Sequence, residues 1–293
     1  MDIAIIGGAG QLGRCAYDAL KTNFNTVSFT KDSLSVDNYE QLNDLISPHS
    51  PKYIINCSAY TKVELAESEK TSANSVNFIG VKNLCRICTE VDATLIHFST
   101  DYIYDGEKEL PYSESDAPNP INEYGASKLK GDIYIAKNLK KYFIFRVSGI
   151  FSKYGENFVK TMLKLRNKDN LSIISDQIMK PSSAKFISDF LKINLQKNNF
   201  TRMNAGEYNL ASEGPELSWY EFSEIIFNSL VDQSLASNVP KLIPISSSEY
   251  HGKVDRPKYS VLSNAKVKKK FIIRNSDYRK NLLEEMKEIF QTI

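Results

Sequence analysis

The 293-residue sequence predicts an α/β protein built on a doubly wound parallel sheet. Two observations support this fold. Short apolar segments typical of buried strands alternate with segments of helical periodicity along the first half of the chain. A glycine-rich turn also joins the first strand to the first helix, as in Rossmann-type sheets.

The strands and helices of this sheet follow from the apolar pattern. The first strand is predicted at Ile3–Ile6, and further strands at residues 27–29, 53–56, 94–99 and 143–147. Helices are predicted over about residues 11–21 and 39–46, around Cys85, and around Tyr124. Each strand is therefore followed by a helix that returns the chain to the same edge of the sheet.

After about residue 149 the alternation loosens. Helices are predicted at 157–166 and 184–195, strands at 171–174 and 207–210, and another helix begins at a capping box formed by Ser218 and Glu221. We predict an NAD(P)-binding Rossmann domain over residues 1–148 and a smaller, mixed α/β C-terminal substrate domain over 149–293. Segments around 184–210 are expected to return to the first domain.

Composition excludes several classes of protein. The hydrophobic and charged fractions, 42% and 25%, are those of a globular protein, and the net charge of +2 favours neither nucleic acid nor a membrane as partner. The chain lacks a secretory signal pattern and an apolar run of membrane-spanning length, which predicts a cytoplasmic protein. Cys85 and Cys88 form a CxxC within a helical pattern, and we interpret them as buried core thiols and predict no metal site.

The glycine-rich turn predicts a dinucleotide site. Gly7, Gly10 and Gly13 form a GxxGxxG directly after the first strand and at the start of the first helix. Glycines at such positions permit positive φ and close approach of the backbone to a pyrophosphate, which the helix N-terminus then binds.

The second strand ends at Thr30 and Lys31 without a carboxylate at its tip. An acidic residue there would bind the ribose 2′-hydroxyl of NADH, whereas a cation favours the 2′-phosphate of NADPH. Lys31 therefore predicts NADPH, and Asp32 keeps NADH possible.

Tyr124 and Lys128 form a YxxxK and share one face of a predicted helix. A lysine ammonium beside a phenol is expected to lower its pKa, which would make Tyr124 a general acid for a developing alkoxide. Thr100 follows directly on the strand predicted at 94–99, at the end where ligands bind in such sheets, and its hydroxyl would bond the same substrate oxygen. We therefore predict that Thr100, Tyr124 and Lys128 are the catalytic group of a nicotinamide-dependent oxidoreductase.

None of the three histidines, His49, His97 and His251, is predicted to be a catalytic base, and His97 is interpreted as a satisfied interior histidine of a strand. Trp219 falls in the first turn of an amphipathic helix and is expected to pack rather than to bind sugar. Arg256 has a guanidinium suited to a diphosphate, with a structural salt bridge as the alternative.

Taken in order, the motifs resemble those of the dTDP-4-dehydrorhamnose reductases, a family of the extended short-chain dehydrogenase/reductase superfamily. The resemblance extends over nearly the whole chain. The matching segments are residues 10–13, 56–67, 99–106, 112–114, 120–128, 158–163, 176–181, 218–222 and 256–257.

The resemblance implies NAD(P)H-dependent reduction of the C4 ketone of a nucleotide-linked 4-dehydro-6-deoxyhexose, as in the biosynthesis of dTDP-L-rhamnose for polysaccharides. It implies that Thr100 and Asp101 contact the sugar and that Lys128 holds the nicotinamide ribose. The cofactor would be lined by Gly10, Gln11, Leu12, Ala59, Tyr60 and Thr61 together with Tyr124 and Lys128.

Three departures from the family pattern stand out. Gly149 replaces a tryptophan that packs on the sugar, which leaves the exact sugar open. In the cofactor segment that includes Ser35 and Val36, Ser35 replaces an aspartate, so one adenine contact is expected to weaken. Cys15 and Lys185 fall where some members hold a bridging Mg²⁺ with glutamates, so we expect that any homodimer is not Mg-bridged.

Two other functions remain open at this point. Tyr102 follows Asp101, where dehydratases of the superfamily have a catalytic glutamate, so an epimerase or dehydratase is less favoured than a reductase. A non-catalytic regulatory or binding subunit would be expected to lose its catalytic residues, and all three are present.

Overall fold

A computed structural model describes residues 1–250, 252 and 254–290. Its strands are β1 (Ile3–Ile6), β2 (Thr26–Phe29), β3 (Tyr53–Asn56), β4 (Thr94–Thr100), β5 (Tyr142–Val147), β6 (Ile150–Phe151), β7 (Asn170–Ile174), β8 (Ile178–Met179), β9 (Ser182–Ser183), β10 (Gly206–Asn209), β11 (Leu217–Ser218) and β12 (Lys241–Ile245). Its α-helices are α1 (Gln11–Leu20), α2 (Tyr39–Ile46), α3 (Val63–Ala66), α4 (Lys70–Asn74), α5 (Gly80–Glu90), α6 (Glu123–Asn138), α7 (Phe158–Lys164), α8 (Ala184–Gln196), α9 (Trp219–Asp232), α10 (Ala265–Lys270) and α11 (Tyr278–Phe290).

The central sheet has six strands in the order β2-β1-β3-β4-β5-β10, and every neighbouring pair is parallel. From β1 the chain first adds β2 on one side and then β3 on the other. This reversal creates a crevice at the carboxyl ends of β1 and β3, where doubly wound sheets bind their ligands. The predicted doubly wound parallel sheet is confirmed.

Helices cover both faces of the sheet. On one face, apolar side chains of α1 and α8 pack with the aromatic side chains of β5, including Phe143 and Phe145. On the other face, α2, α5 and α6 pack against residues of alternate register, such as Ile54 and Leu95. The alternation arises because neighbouring residues of a strand point to opposite faces, so strands buried on both sides are apolar throughout.

Two of the differences between the structure and the sequence prediction in the sheet region bear on the site. A π-helical segment, Ser75–Ile79, precedes α5 and joins it to α4. Strand β4 also extends one residue further than predicted and ends at Thr100. Thr100 is therefore the last residue that the sheet itself holds in place.

The C-terminal part packs around its own apolar cluster, which includes Phe151, Phe222, Tyr278 and Met286. Its sheets have only two strands each, and β12, which pairs with β7, was not predicted. The predicted capping box is present: Glu221 N–H donates to Ser218 Oγ at 3.1 Å, and Ser218 N–H donates to Glu221 Oε2 at 2.7 Å. The division of the chain at residue 148 stays a prediction.

Among the described residues, no helix combines the length and the apolar character needed to cross a membrane. His251 lies outside the described residues.

Candidate active site

A cavity of about 660 Å³ opens at the carboxyl edge of the central sheet, between the sheet and the C-terminal part. Several predicted site residues line it: Gly10, Gln11, Leu12, Ala59, Thr61, Thr100, Asp101, Tyr124, Lys128, Gly149 and Arg256. Others are placed by neighbouring elements and do not line it: Gly7, Gly13, Thr30, Lys31, Ser35, Val36 and Tyr60.

The glycine turn forms a tight loop between β1 and α1. Gly7 has a φ of +83°, and a β-carbon there would lie 2.6 Å from the backbone nitrogen of Ser58. A β-carbon on Gly13 would lie 2.3 Å from the carbonyl oxygen of Gly7. Gly10 is the N-cap of α1, and no described side chain caps this helix. The first N–H groups of α1 therefore remain available to an anion.

The end of β2 presents a cation and a carboxylate to solvent. Thr30 is partly buried and its N–H donates to Ser33 Oγ at 3.0 Å, whereas Lys31 and Asp32 are exposed. Lys31 also contributes to holding the pKa of Asp37 below its usual range, although hydrogen bonds from Ser35 and Ser75 are the larger causes. The structure thus leaves Lys31 free to meet a further anionic group at this edge.

Ser35 and Val36 have internal partners. The Ser35 hydroxyl donates to Asp37 Oδ1 at 2.5 Å. The Val36 side chain is buried against Gly80, where an added β-carbon would lie 2.6 Å from Val36 Cγ1. The side chain of Val36 thus contributes to the core, and a carboxylate, that of Asp37, lies beside Ser35.

The loop after β3, which includes Ala59, Tyr60 and Thr61, is held by Asn77, a residue that sequence reasoning missed. Asn77 Oδ1 accepts from Tyr60 N–H at 2.9 Å, and its Nδ2 donates to Tyr60 O at 3.2 Å and to Ser127 Oγ at 3.0 Å. Asn77 is buried and lies in the π-helical segment. The available signal was an asparagine between apolar residues of a helical pattern, a position where a polar side chain is expected to have a specific partner.

Tyr124 and Lys128 are placed by α6. Asn122 caps this helix by accepting from Gly125 N–H at 2.9 Å. Gly125 allows close packing, since a β-carbon there would lie 2.0 Å from the carbonyl oxygen of Tyr102. The first turn of α6 is therefore held against the end of β4, and the hydroxyl of Thr100 forms a hydrogen bond with Tyr124.

The prediction that Lys128 lowers the pKa of Tyr124 is wrong for the protein without bound ligands. Burial raises the pKa of Tyr124 far above its usual range, and the hydrogen bond with Thr100 opposes this only in part. The Lys128 ammonium group is directed elsewhere: its Nζ donates to Phe98 O at 2.7 Å and lies 3.1 Å from His97 Nε2. Tyr124 therefore retains its proton at neutral pH, the state that a general acid requires.

Lys128 is itself buried, with only 1% of its surface exposed. Burial lowers its pKa to about 8, and the carboxylate of Asp132, one turn further along α6, opposes this. A buried lysine with a pKa near neutrality is uncommon outside functional sites. The interior position predicted for His97 is found, but its ring contacts Lys128, which the sequence did not indicate.

Asp101 is buried beside Thr100. Ser148 donates to its Oδ2 at 2.6 Å and Thr100 donates to its Oδ1 at 3.0 Å. Burial nevertheless raises the pKa of Asp101. This carboxyl group fixes the Thr100 hydroxyl and links the end of β4 to the segment after β5.

Tyr102 lies edge-on to Tyr124, with 5.8 Å between the ring centres, and lines the cavity. Burial raises the pKa of Tyr102 to about 12, and the charge of Arg256 opposes this. A protonated phenol therefore occupies the place where a dehydratase would have a carboxylate base.

Gly149 lines the cavity after β5 with a φ of +53°. A β-carbon there would lie 3.2 Å from both Met179 Sδ and Pro181 Cα. Because positive φ disfavours other residues and the neighbouring backbone is close, a tryptophan could not be added here without moving the segment 179–181. Substituting Gly149 alone is thus a poor test of sugar preference.

Trp219 lines the same cavity and also packs on Phe158, with 4.6 Å between the ring centres. The expectation that Trp219 only packs is therefore incomplete, because its side chain contacts Phe158 and also borders the cavity. An aromatic side chain is therefore present in the cavity despite the glycine at 149, supplied by the N-terminus of α9.

Arg256 reaches the cavity from the C-terminal part. Its Nη2 lies 3.4 Å from Glu64 Oε1, and 29% of its side chain is exposed. This ion pair is long and solvated, so it holds the guanidinium only weakly. The guanidinium also forms a hydrogen bond with Tyr102, and its remaining donors are available to a ligand.

The four cysteines are free. Cys85 and Cys88 are buried, and burial raises the pKa of Cys85 to about 12. Among the described residues, no group of three or more His, Cys, Asp or Glu is placed to bind a metal ion.

Comparison with known proteins agrees with this geometry. The family model that matches the chain is described as the RmlD substrate binding domain and covers residues 1–291. A dTDP-4-dehydrorhamnose reductase of Aggregatibacter actinomycetemcomitans is 35% identical, with 96% of each chain covered.

Two solved structures are also similar. The dTDP-4-dehydrorhamnose reductase of Bacillus anthracis, in complex with NADP, has a TM-score of 0.88 and 33% identity over 98% of each chain. That of Clostridium acetobutylicum has a TM-score of 0.89 and 31% identity over 99% of each chain.

Proposed function

The chain belongs to the dTDP-4-dehydrorhamnose reductase family, and we propose that it uses NADPH to reduce the C4 ketone of a dTDP-linked 4-dehydro-6-deoxyhexose. The product is the corresponding 4-hydroxy sugar nucleotide, an intermediate for polysaccharide synthesis. The observation that carries the proposal is the single cavity shared by the phosphate loop, Thr100, Tyr124 and Lys128.

The residues around the loop fit a dinucleotide. Side chains at Gly7 or Gly13 would collide with neighbouring backbone, so the glycines keep the loop close to the sheet. The uncapped N-terminus of α1 would bind the pyrophosphate, and Lys31 would meet the 2′-phosphate. Ala59 and Thr61 would line the path towards the nicotinamide, and Lys128 would bond its ribose. Bound NADPH supplies a hydride equivalent.

The protein provides the proton and the orientation. Tyr124 would give its phenolic proton to the ketone oxygen as the ketone carbon takes up the hydride that bound NADPH would supply, which leaves a secondary alcohol. With the substrate bound, the Thr100 hydroxyl would redirect its hydrogen bond from Asp101 Oδ1 to the same oxygen and keep its proton. A hydrogen bond aimed at the oxygen stabilises the charge that develops there.

The side of the cavity that faces Tyr124 and Lys128 would select the sugar nucleotide. Asp101 orients Thr100 and would contact the sugar, and Trp219 would pack against the pyranose ring in place of the aromatic that Gly149 lacks. Arg256, whose guanidinium bonds with Tyr102 and forms a long ion pair with Glu64, would bind the diphosphate through its remaining donors.

The test is NADPH oxidation with a panel of dTDP-, GDP- and UDP-linked 4-keto-6-deoxy sugars. We expect turnover, with the dTDP-linked sugar preferred. Failure with every sugar despite tight NADPH binding would instead support a non-catalytic binding subunit. Interconversion of sugars without net NADPH oxidation would support an epimerase.

We also propose that the protein acts in the cytoplasm, where its four free cysteines would stay reduced. Any homodimer would form without a bridging Mg²⁺. Lys185 is the reason, since its ammonium group lies 3.5 Å from Asp189 and 3.7 Å from Glu284, where it would compete with a cation.

A further inference from the structure

Next to Lys128 lies a buried polar cluster composed of Asn56, His97, Ser99 and Asp132, of which Ser99 lines the cavity and the other three do not. It connects three elements: β3, β4 and α6. His97 is fully buried and Asp132 is 1% exposed. None of these residues has a role in the reaction as described above, although Lys128 contacts the cluster directly.

Asn56 determines which nitrogen of His97 carries the proton. Asn56 Oδ1 accepts from both Ser58 N–H at 3.0 Å and Ser58 Oγ at 2.6 Å. Its Nδ2 therefore faces His97 Nδ1 at 2.9 Å as a donor. A ring nitrogen that accepts a hydrogen bond is unprotonated, so neutral His97 must hold its proton on Nε2. Burial and the charge of Lys128 keep the pKa of His97 well below its usual value, so the ring is neutral.

The Nε2 proton of His97 points at two groups. Lys128 Nζ lies at 3.1 Å and Asp132 Oδ1 at 3.6 Å. Asp132 Oδ2 accepts from Ser99 Oγ at 2.6 Å, whereas Oδ1 has no hydrogen-bond partner among the described residues. An ammonium group can only donate, so His97 opposes the charged form of Lys128 while Asp132 supports it.

Building on the proposed function, we propose that His97 and Asp132 are positioning residues that set the charge of Lys128 in opposite directions. The tautomer fixed by Asn56 presents a donor to the amine and favours its neutral form. The carboxylate of Asp132, on the same side, favours the ammonium form. Burial is the largest influence on the charge of Lys128, and these two groups adjust it in opposite directions.

A few other charged or titratable groups act on Lys128 and Asp132, and the substitutions proposed below leave them unchanged. Cys57, after β3, also acts on Lys128 and raises its pKa, and Tyr124 lies one turn before Lys128 on α6. Arg146 from β5 and Glu207 from β10 act on Asp132, where the first lowers and the second raises its pKa. Burial is the largest cause and raises the pKa of Asp132 to about 6.

The direction of each effect follows from these contacts. Substituting His97→Gln allows the side-chain carbonyl to face the amine, so an acceptor replaces a donor and the pKa of Lys128 should rise. Substituting Asp132→Asn removes the anion, and the pKa of Lys128 should fall. Loss of the neighbouring opposite charge in Asp132→Asn should shift the midpoint by about one pH unit. The exchange of one hydrogen bond in His97→Gln should shift it by less, in the other direction.

The first measurement is made on the unsubstituted protein. The chain has three histidines, so ¹⁵N NMR of the ring nitrogens of the intact protein is simple, and His97→Gln assigns the signal. We expect His97 to be protonated on Nε2 and unprotonated on Nδ1 between about pH 6 and pH 9, without titration. A protonated Nδ1, or a ring that becomes cationic in this range, would overturn the proposal.

The second measurement is the affinity for NADPH against pH, followed by fluorescence, for the unsubstituted protein and both variants. We expect affinity to decline at alkaline pH as Lys128 loses its charge, at higher pH in His97→Gln and at lower pH in Asp132→Asn. A merely structural role would weaken binding without moving the midpoints in opposite directions. Midpoints that do not move, or that move together, would contradict the proposal.

Two exposed residues give matched controls. His49→Gln and Asp92→Asn make the same chemical changes outside the cavity, and both should leave the midpoint in place. If the protein bound no NADPH at any pH, the proposed function would fail, yet the NMR measurement would still decide the tautomer. The two failures are therefore distinguishable.

Discussion

The two walls of the cavity are built in different ways. The cofactor wall, defined as the glycine loop, the end of β4 and the first turns of α6, is held by regular elements. Thr100 ends a strand of seven buried residues, and Tyr124 and Lys128 are one turn apart on a capped helix. The sugar wall, defined as Gly149, Trp219 and Arg256, comes from the segments that follow β5, begin α9 and precede α10.

This difference in construction assigns the chemical step to the cofactor wall and the choice of substrate to the sugar wall. Proton transfer needs a fixed geometry, and regular elements with buried hydrogen bonds supply it. Substrate choice can vary with loops on a conserved scaffold, since loops tolerate change. A glycine in place of an aromatic at 149 is then compatible with intact catalysis, because another element, α9, supplies an aromatic side chain to the same cavity.

The largest effect is expected on the cofactor wall. Tyr124→Phe removes the proton donor and should lower kcat by about 10²–10⁴-fold, because general acids contribute about that much. NADPH affinity should stay nearly unchanged. Steady-state assays and fluorescence titration measure the two quantities.

Tyr134→Phe is the matched control, since Tyr134 lies on the same helix and packs on Phe78. It should retain kcat. Full activity in Tyr124→Phe would contradict the assigned role of the phenol.

A similar contrast, between local motifs and contacts of residues distant in sequence, decides what could be predicted from the sequence. The order of strands and helices, the glycine loop and the YxxxK helix could be read from periodicity and local motifs, and the fold agrees. The tautomer of His97 and the raised pKa of Tyr124 could not, because they depend on Asn56 and on burial between elements distant in sequence. Trp219 was interpreted as packing because periodicity places it on a helix without showing that a cavity adjoins that helix.

Asp132 in the first part of the chain and Glu285 in the C-terminal part are both buried carboxyl groups, but they differ in their surroundings. The charge of buried Lys128 acts on Asp132, whereas the cation that acts on Glu285 is the exposed Lys185. Glu285 on α11 is 4% exposed, and burial raises its pKa from 4.5 to about 7 despite a hydrogen bond from Ser183. Below pH 4.5 it is protonated in folded and unfolded chains alike. As the pH rises towards about 7, the unfolded chain releases this proton first, so the free energy of unfolding falls.

Glu285→Gln should therefore raise the free energy of unfolding at pH 8 by on the order of 3 kcal/mol, and change it little near pH 4. Urea unfolding at the two pH values measures this. Glu284→Gln, which changes an exposed neighbour, is the control. An equal effect of Glu285→Gln at both pH values would show that Glu285 does not titrate as described.

A smaller effect is expected at the glycine loop. Gly13→Ala places a β-carbon 2.3 Å from Gly7 O and must displace the loop from α1. NADPH should bind roughly 10-fold or more weakly, about 1.4 kcal/mol or more. Gly10→Ala, whose β-carbon would lie 3.3 Å from the same oxygen, should have a milder effect. Equal affinity in both variants, measured by isothermal titration, would mean that the loop is not tightly constrained.

The smallest effect should fall on the sugar wall. Trp219→Ala should raise the KM for the sugar nucleotide by roughly 10-fold and leave the Kd for NADPH unchanged, because a buried aromatic contact contributes about 1 kcal/mol or more. The KM of Trp219→Phe should lie between those of Trp219→Ala and the unsubstituted protein. Melting temperatures show whether the contact with Phe158 is lost as well. If KM stayed constant in a folded Trp219→Ala variant, the side chain would not contact the sugar.

The most direct measurement follows the hydrogen that is transferred. The protein is incubated with NADPH deuterated at nicotinamide C4 and a dTDP-linked 4-keto-6-deoxy sugar, and the product is analysed by NMR and mass spectrometry. We predict one deuterium at sugar C4 for each NADPH oxidised. Oxidation that leaves no deuterium in the sugar, deuterium at another carbon, or no oxidation with any such sugar would contradict the account.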